Sequence, residues 1–79
     1  MGAFCYKSTL PDHDLNNITK NGIYWCNKNW PDSKHYPSGC VTGFMLVCTN
    51  GASITQLFMP TGNQQPKYRN KESSSWTSW

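Results

Sequence analysis

Two β-prone segments on either side of Asn50-Gly51 constrain this chain more than any other feature of its sequence. Residues 43–49 form its most hydrophobic run, and residues 53–59 are again rich in β-branched, aliphatic and aromatic side chains. Asn-Gly between two such runs is the strongest short-range signal for a β-hairpin. We therefore predict a central hairpin with a two-residue turn at Asn50 and Gly51.

This turn would also fix the register of the hairpin. With Asn50 and Gly51 as the turn residues, Val47 lies opposite Ile54. Phe44 then lies opposite Leu57.

The remaining segments predict a mainly β fold, with an α+β fold as the alternative. Acidic residues before two apolar residues three apart indicate one or two helical turns within 12–19, ended by the Asn-Gly that follows. Neither a linker nor a repeat divides the chain, so we expect a lead-in segment at 1–11 and a single domain at 12–79. The expected architecture is a small antiparallel sheet with a central hairpin and one short N-terminal helix, with further strands at 22–26, 67–70 and 75–79 and a long polar loop at 27–39.

Size and charge narrow the range of partners. A chain of 79 residues buries little more surface than its conformational entropy requires, so it commonly depends on disulfides, a metal or a partner subunit. The net charge is +3, but the seven basic residues are scattered, whereas nucleic-acid modules have a denser basic stripe. No run is long enough to span a membrane. We expect neither nucleic-acid binding nor membrane insertion.

The four cysteines are compatible with three chemical states. Their even number fits a disulfide framework, but none of them has the C-x-x-C spacing of a zinc or redox motif. The N-terminus lacks the basic region and apolar core of a secretory signal, and Cys26 and Cys48 lie in strand-like apolar runs. These observations favour buried free thiols, with disulfides and a metal site as alternatives, for Cys5, Cys26, Cys40 and Cys48.

The sequence contains no recognisable set of catalytic residues. Asp12 and Asp14 flank His13, but adjacent residues point in different directions, so helix capping and solvation explain them better. No Gly-rich phosphate loop or nucleophile–base pair is present. We therefore expect a protein that is not an enzyme and has no cofactor, metal site or catalytic residue.

Aromatic and polar residues are concentrated in the 27–39 loop. Flat aromatic faces beside amides and carboxylates suit sugar rings, whose C–H faces stack while their hydroxyls form hydrogen bonds. The alternative is that the two aromatic residues, each followed by Pro, hold the loop against the core. The candidate ligand-binding residues are Asn29, Trp30, Asp32, His35 and Tyr36.

The C-terminal segment carries two indoles three residues apart, Trp76 and Trp79. On a regular strand such residues face opposite sides of the sheet. Both rings can therefore enter one core only if a bulge intervenes or both faces are covered. We expect at least one ring to be available to a partner or a neighbouring subunit.

The order of these elements resembles the knob-type modules of phage tail fibres and R-type pyocin fibres. The shared features are a Leu…Ile-Thr…Gly-Ile-Tyr segment at 15–24, a Pro-containing loop, an apolar strand that begins at Gly43 and a closing Trp-x-x-Trp. A Gln-aromatic strand and a Tyr-Arg pair complete the set, which covers about residues 14–79. The residues that match recurring positions of these modules are Gln56, Tyr68, Arg69, Trp76 and Trp79.

The resemblance implies a non-enzymatic module of an adhesion fibre, trimeric through its shaft. The implied partner is a bacterial surface polysaccharide or another envelope receptor, and the implied location is the virion after assembly in the bacterial cytoplasm. The recurring residues would mark the fold, with Arg69 hydrogen-bonded or stacked on an indole. Specificity would lie in the 27–39 loop. A structural spacer without a ligand and a secreted disulfide-stapled binding protein are the alternative functions.

Overall fold

A computed structural model describes residues 10–79 and the backbone of residues 6 and 7. Its regular structure is a sheet and a single 3₁₀ turn at Leu15–Asn17. The strands are β1 (Tyr6–Lys7), β2 (Gly22–Asn27), β3 (Thr42–Thr49), β4 (Ser53–Pro60), β5 (Lys67–Glu72) and β6 (Ser75–Trp76).

The six strands lie in one sheet in sequence order. Neighbouring strands are antiparallel except β1, which pairs parallel to β2. The predicted mainly β class is confirmed, and the predicted N-terminal helix is reduced to the 3₁₀ turn. Asp14 caps this turn by accepting a hydrogen bond from the Asn16 amide. Gly22 does not cap a helix as we expected, because it is already the first residue of β2.

The central hairpin is present, but its register differs from the prediction by two residues. Val47 lies opposite Gln56, and not opposite Ile54. The reason is the Asn50 side chain, which accepts hydrogen bonds from the amides of Ala52 and Ser53. This places Asn50 before the turn and makes Gly51 its first central residue, where its φ of 97° suits glycine.

A shift of two residues leaves every side chain on its predicted face of the sheet, because the side-chain period of a strand is two. Leu57 therefore still shares a face with Phe44, although Phe44 pairs directly with Met59.

The inner face of the sheet is covered by the 3₁₀ turn and the long loop that follows β2. Leu15 and Ile18 from the turn region pack with inward-facing strand residues into one core. Trp30 and Tyr36 from the loop lie partly buried against that core. The fully buried core residues are Leu10, Leu15, Ile18, Tyr24, Cys26, Cys40, Met45, Val47 and Phe58.

Both ends of the chain depart in detail from the predicted elements. In the predicted lead-in, β1 pairs with the sheet and Leu10 is buried, while residues 1–5 and 8–9 lie outside the described part. At the other end, β5 continues to Glu72 and the predicted strand at 75–79 is confined to Ser75–Trp76. The predicted turn at 71–74 is shortened to two residues, where Ser73 has a φ of 61°.

Three cysteines lie in the described part, and all three are free thiols. Cys26 and Cys40 are buried in the core, whereas Cys48 is exposed on β3. Burial raises the pKa of Cys26 to about 12, so this thiol is protonated at neutral pH. Cys5, the fourth cysteine, lies outside the described residues.

Thiol labelling should separate these cysteines, because thiolate character and exposure control the rate of alkylation. In a Cys5→Ser variant at pH 8, we expect one fast modification at Cys48. Cys26 and Cys40 should react only after unfolding. Intact mass spectrometry and peptide mapping measure both. A native protein with no reactive thiol, or one two or more hydrogens lighter than its sequence, would contradict this and favour a disulfide scaffold.

Candidate functional site

Four of the five residues that match the fibre modules form one connected network on the inner face of the sheet: Gln56, Arg69, Trp76 and Trp79. Gln56 on β4 is fully buried, and its Nε2 donates to the carbonyl oxygens of Leu15 at 2.7 Å and Ile18 at 2.9 Å. Its Oε1 accepts from Arg69 Nε on β5 at 2.9 Å. Gln56 therefore ties the two ends of the 3₁₀ turn to the sheet.

Arg69 lies between two indoles. Its guanidinium carbon is 4.1 Å from the ring centroid of Trp76 and 4.4 Å from that of Trp79. Desolvation lowers the pKa of Arg69 to about 10 despite the attraction of Asp14, so the group remains charged at neutral pH. The indole faces carry the negative end of the ring quadrupole and replace part of the lost hydration. We call Gln56, Arg69, Trp76 and Trp79 the clasp.

Both indoles reach the same guanidinium because the last strand ends between them. β6 ends at Trp76, so the alternation of faces no longer applies when the chain reaches Trp79. Trp79 Nε1 then donates to the carbonyl oxygen of His35 at 2.7 Å, and its ring packs edge-on against Phe58. Both indoles are half-buried, and part of each ring is exposed, so our expectation that at least one ring is available to a partner stays a prediction.

Tyr68 matches a recurring position of the fibre modules but is not part of the clasp. It precedes Arg69 on β5 and therefore points to the opposite face, where 61% of its surface is exposed. The two residues of the Tyr-Arg pair therefore lie on opposite faces of the sheet, with Arg69 on the inner face.

The long loop is anchored to the 3₁₀-turn region by backbone and side-chain hydrogen bonds. The Leu15 amide donates to the Lys34 carbonyl, and the Lys34 amide donates to the His13 carbonyl. His35 and Asp14 side chains are joined by a 2.6 Å contact between Nδ1 and Oδ1. Two loop residues, Asp32 and His35, have left-handed φ values of 63° and 66°. The loop therefore has a defined conformation that its anchors maintain.

The predicted ligand-binding residues divide into two groups. Tyr36 packs edge-on against Phe58, and its hydroxyl is buried without a hydrogen-bond partner among the described residues. Tyr36 thus holds the loop to the core, which was the alternative role. Asn29, Asp32 and His35 are exposed.

Trp30 lies against the core and also reaches the surface. Its half-buried ring stacks on His13 with a centroid distance of 5.0 Å and an interplanar angle of 28°. His13 Nδ1 also contacts the Pro31 carbonyl oxygen at 2.6 Å. Sequence reasoning missed His13 as part of this site, because its partners lie 17 and 18 residues further along the chain. We call Asn29, Trp30, Asp32, His35 and His13 the loop site.

Asp14 is the electrostatic link between the 3₁₀ turn and the loop. Desolvation acts to raise its pKa, but hydrogen bonds from His35 and the Asn16 amide, with the charges of His35 and Lys34, hold the pKa below its usual 3.8. The carboxylate is therefore ionised at neutral pH. A charged Asp14 stabilises the folded loop.

This depressed pKa predicts a loss of stability in acid. The unfolded chain takes up the proton first, so the contribution is complete above pH 3.8 and is lost as the pH falls through the folded value. Asp14→Asn keeps the cap acceptor and should flatten this loss, at a cost of less than about 1 kcal/mol at pH 7 because the pair is partly exposed. Denaturant unfolding from pH 7 to pH 2 measures it. Asp32→Asn is the control, and an unchanged acid slope in Asp14→Asn would contradict the assignment.

No protein-family model, curated protein or solved structure matches the chain. Within residues 10–79 no helix has the length and apolar character needed to cross a bilayer. The described residues contain no cluster of three metal-ligating side chains. The loop site presents exposed hydrogen-bonding side chains beside the stacked rings of Trp30 and His13.

Proposed function

We propose that this chain is a receptor-binding module of a phage or prophage tail fibre, and that its loop site contacts a bacterial surface glycan. The proposal rests on the ordered resemblance to fibre knob modules and on one geometric observation. The clasp residues, which match recurring positions, contact one another, whereas Asn29, Asp32 and His35 of the loop site are exposed on a loop that is anchored by hydrogen bonds. A module of this kind binds its receptor without catalysing a reaction.

The division between clasp and loop fits a family whose members share a fold and differ in specificity. Buried hydrogen-bonded residues such as Gln56 and Arg69 hold the structure, and they have little freedom to change. Exposed loop residues such as Asn29 and Asp32 change at little cost in stability. Receptor choice would therefore reside in the loop.

The chemistry of the loop site suits a neutral or weakly charged sugar. Asn29 supplies an amide, Asp32 a carboxylate and His35 an imidazole, which together donate to and accept from hydroxyl groups. The Trp30–His13 stack supplies an apolar surface beside them. Because the anchored loop is already ordered, binding would cost little conformational entropy.

A combined Asn29→Ala and Asp32→Gly variant tests the loop site. Glycine retains the left-handed backbone of Asp32 while removing its carboxylate, and both positions are exposed, so the melting temperature should change by less than about 3 °C. We expect at least a tenfold loss of affinity for the polysaccharide or envelope fraction that the wild type binds in a broad panel. Surface plasmon resonance measures the affinity.

The matched control is Glu72→Ala, which removes an exposed carboxylate at the opposite end of the sheet. It should bind like the wild type. Absence of wild-type binding to every polysaccharide and envelope fraction tested would contradict the receptor-binding proposal. Full affinity of the loop variant would contradict the loop site.

A second candidate function is an assembly module that packs against fibre neighbours without binding a receptor. It is favoured by the face of the sheet opposite the core, which we call the outer face and where Leu46, Leu57 and Tyr68 lie side by side on β3, β4 and β5. Under this function the loop variant would leave host adsorption unchanged, and substitutions on the sheet face would alter assembly.

A further inference from the structure

The chain contains two Asn-Gly dipeptides, Asn21-Gly22 and Asn50-Gly51, at which a protein can modify itself. The backbone nitrogen of the glycine attacks the side-chain amide carbon (Cγ) of the asparagine before it, and a cyclic imide forms. Glycine permits this attack because it has no Cβ to shield its nitrogen. Both asparagines are exposed and line the same shallow depression, so access of water does not distinguish them. Their hydrogen bonds do.

Asn21 is bound to the neighbouring strand through both ends of its side-chain amide. Its Oδ1 accepts from the Thr49 amide at 2.7 Å, and its Nδ2 donates to the Thr49 carbonyl oxygen at 3.4 Å. In the register of β2 and β3, Gly22 lies opposite Val47, so Thr49 lies beyond Asn21 on the side away from Gly22. The two hydrogen bonds therefore direct Cγ of Asn21 away from the nitrogen that would attack it.

The Gly22 nitrogen is engaged as well, because Gly22 is a buried residue of the β2–β3 ladder. Hydrogen-bonded pairs alternate along an antiparallel ladder, and the Lys28 amide donates to the Val41 carbonyl oxygen in the same register. Gly22 and Val47 lie an even number of residues further along, so they also form a hydrogen-bonded pair. The Asn21-Gly22 dipeptide can react only when this end of the sheet opens.

Asn50, in contrast, folds its side chain over its own glycine. Its Oδ1 accepts from the amides of Ala52 at 2.9 Å and Ser53 at 3.0 Å, both on the C-terminal side of Gly51. To reach these amides, the side chain passes over the peptide bond that joins Asn50 to Gly51. Cγ of Asn50 therefore lies beside the Gly51 nitrogen, which is the proximity that an intramolecular reaction requires.

The same two hydrogen bonds also favour the reaction electrostatically. Negative charge develops on Oδ1 of Asn50 when the Gly51 nitrogen adds to Cγ. Backbone amides that already donate to this oxygen stabilise the charge, as the donors of an oxyanion hole do. The Gly51 N–H donates to the Thr49 hydroxyl at 3.0 Å, and Gly51 is exposed, so a base from solvent can take its proton.

We propose that Asn50 is a self-modification site, where the folded hairpin directs deamidation while Asn21 stays intact. The Gly51 nitrogen forms a bond to Cγ and gives its proton to solvent, and the Cγ–Nδ2 bond breaks as ammonia leaves. Water then opens the imide at either of its carbonyl groups, which yields aspartate or isoaspartate without oxidation or reduction. Each product carries a carboxylate, so the net charge of +3 falls by one.

This site goes beyond the proposed function and lies far from the loop site. β3 begins at Thr42, which pairs with the last residue of β2 where the long loop starts, and it ends at Thr49 beside Asn50. Deamidation should therefore leave glycan binding unchanged. Failure of either proposal leaves the other unaffected.

The experiment follows both asparagines while the full chain is kept at about 37 °C and pH 8. Peptide mapping by mass spectrometry with electron-transfer fragmentation measures aspartate and isoaspartate at each position. We expect Asn50 to convert at least tenfold faster than Asn21. In the chain unfolded by guanidinium chloride, the two rates should differ by less than about threefold, because only the fold distinguishes the two dipeptides.

Two glutamine variants assign the product independently of the peptide map, because the longer side chain of glutamine forms the imide far less readily. Asn50→Gln should abolish the early acidic form that ion-exchange chromatography separates from the fresh protein, whereas Asn21→Gln should retain it. Equal rates at the two positions of the folded protein would overturn the proposal. So would an Asn50 that converts only in the unfolded chain, or an early acidic form that Asn21→Gln abolishes.

Discussion

Gln56→Leu should destabilise this protein by at least about 4 kcal/mol, a large part of the roughly 4–12 kcal/mol that a chain of 79 residues has. The substitution removes the donor to the Leu15 and Ile18 carbonyls and the acceptor for Arg69 Nε. Each buried group left without its partner costs about 1–3 kcal/mol, and the charged guanidinium lies at the upper end. Thermal unfolding followed by circular dichroism measures the effect.

Two further variants identify the cause. Gln65→Leu is the matched control at an exposed glutamine and should change stability by less than about 0.5 kcal/mol. The Gln56→Leu and Arg69→Met double variant should cost less than the sum of its parts, because it also removes the charge that the single variant leaves without an acceptor. A Gln56→Leu protein within 1 kcal/mol of the wild type would refute the clasp as a structural element.

Gly43→Ala is expected to have the second-largest effect, at about 3 kcal/mol or more. A Cβ at this position would lie 2.5 Å from the Met59 carbonyl oxygen, 2.8 Å from Pro60 Cα and 2.9 Å from the Phe58 ring. Two of the three obstructing atoms belong to the backbone of β4, so β3 and β4 must separate. Denaturant unfolding at pH 7 measures the loss.

Gly62→Ala distinguishes this steric effect from a general cost of replacing glycine. Gly62 has a φ of 80° but open space around it, so alanine there meets only the unfavourable left-handed conformation, which costs about 1 kcal/mol. Equal losses at the two positions would contradict the close approach of β3 and β4.

The sequence predicted the positions of the strands better than the contacts between residues that are distant along the chain. Asn50-Gly51 located the hairpin, but the register followed the Asn50 side chain, whose choice of backbone partners no pattern specified. Strand periodicity predicted that Trp76 and Trp79 face opposite sides of the sheet. The strand ends at Trp76, and periodicity does not indicate where a strand ends. His13 and Asp14 act through contacts with the loop that their local sequence does not encode.

The central claim is that two parts of the molecule have separate roles: the clasp holds the fold, and the loop site is the surface that we propose binds the glycan. Trp30 in the loop site and Trp76 in the clasp report on the two separately, whereas Trp79 belongs to the clasp and also donates from Nε1 to the carbonyl oxygen of His35 in the loop site. The most direct measurement is therefore the ¹⁵N–¹H spectrum of the four indole groups.

Titration with the bound polysaccharide should shift the Trp30 indole signal and leave that of Trp76 in place. A polysaccharide-dependent shift of Trp76 with an unchanged Trp30 would contradict the account, because it would make the clasp the binding surface.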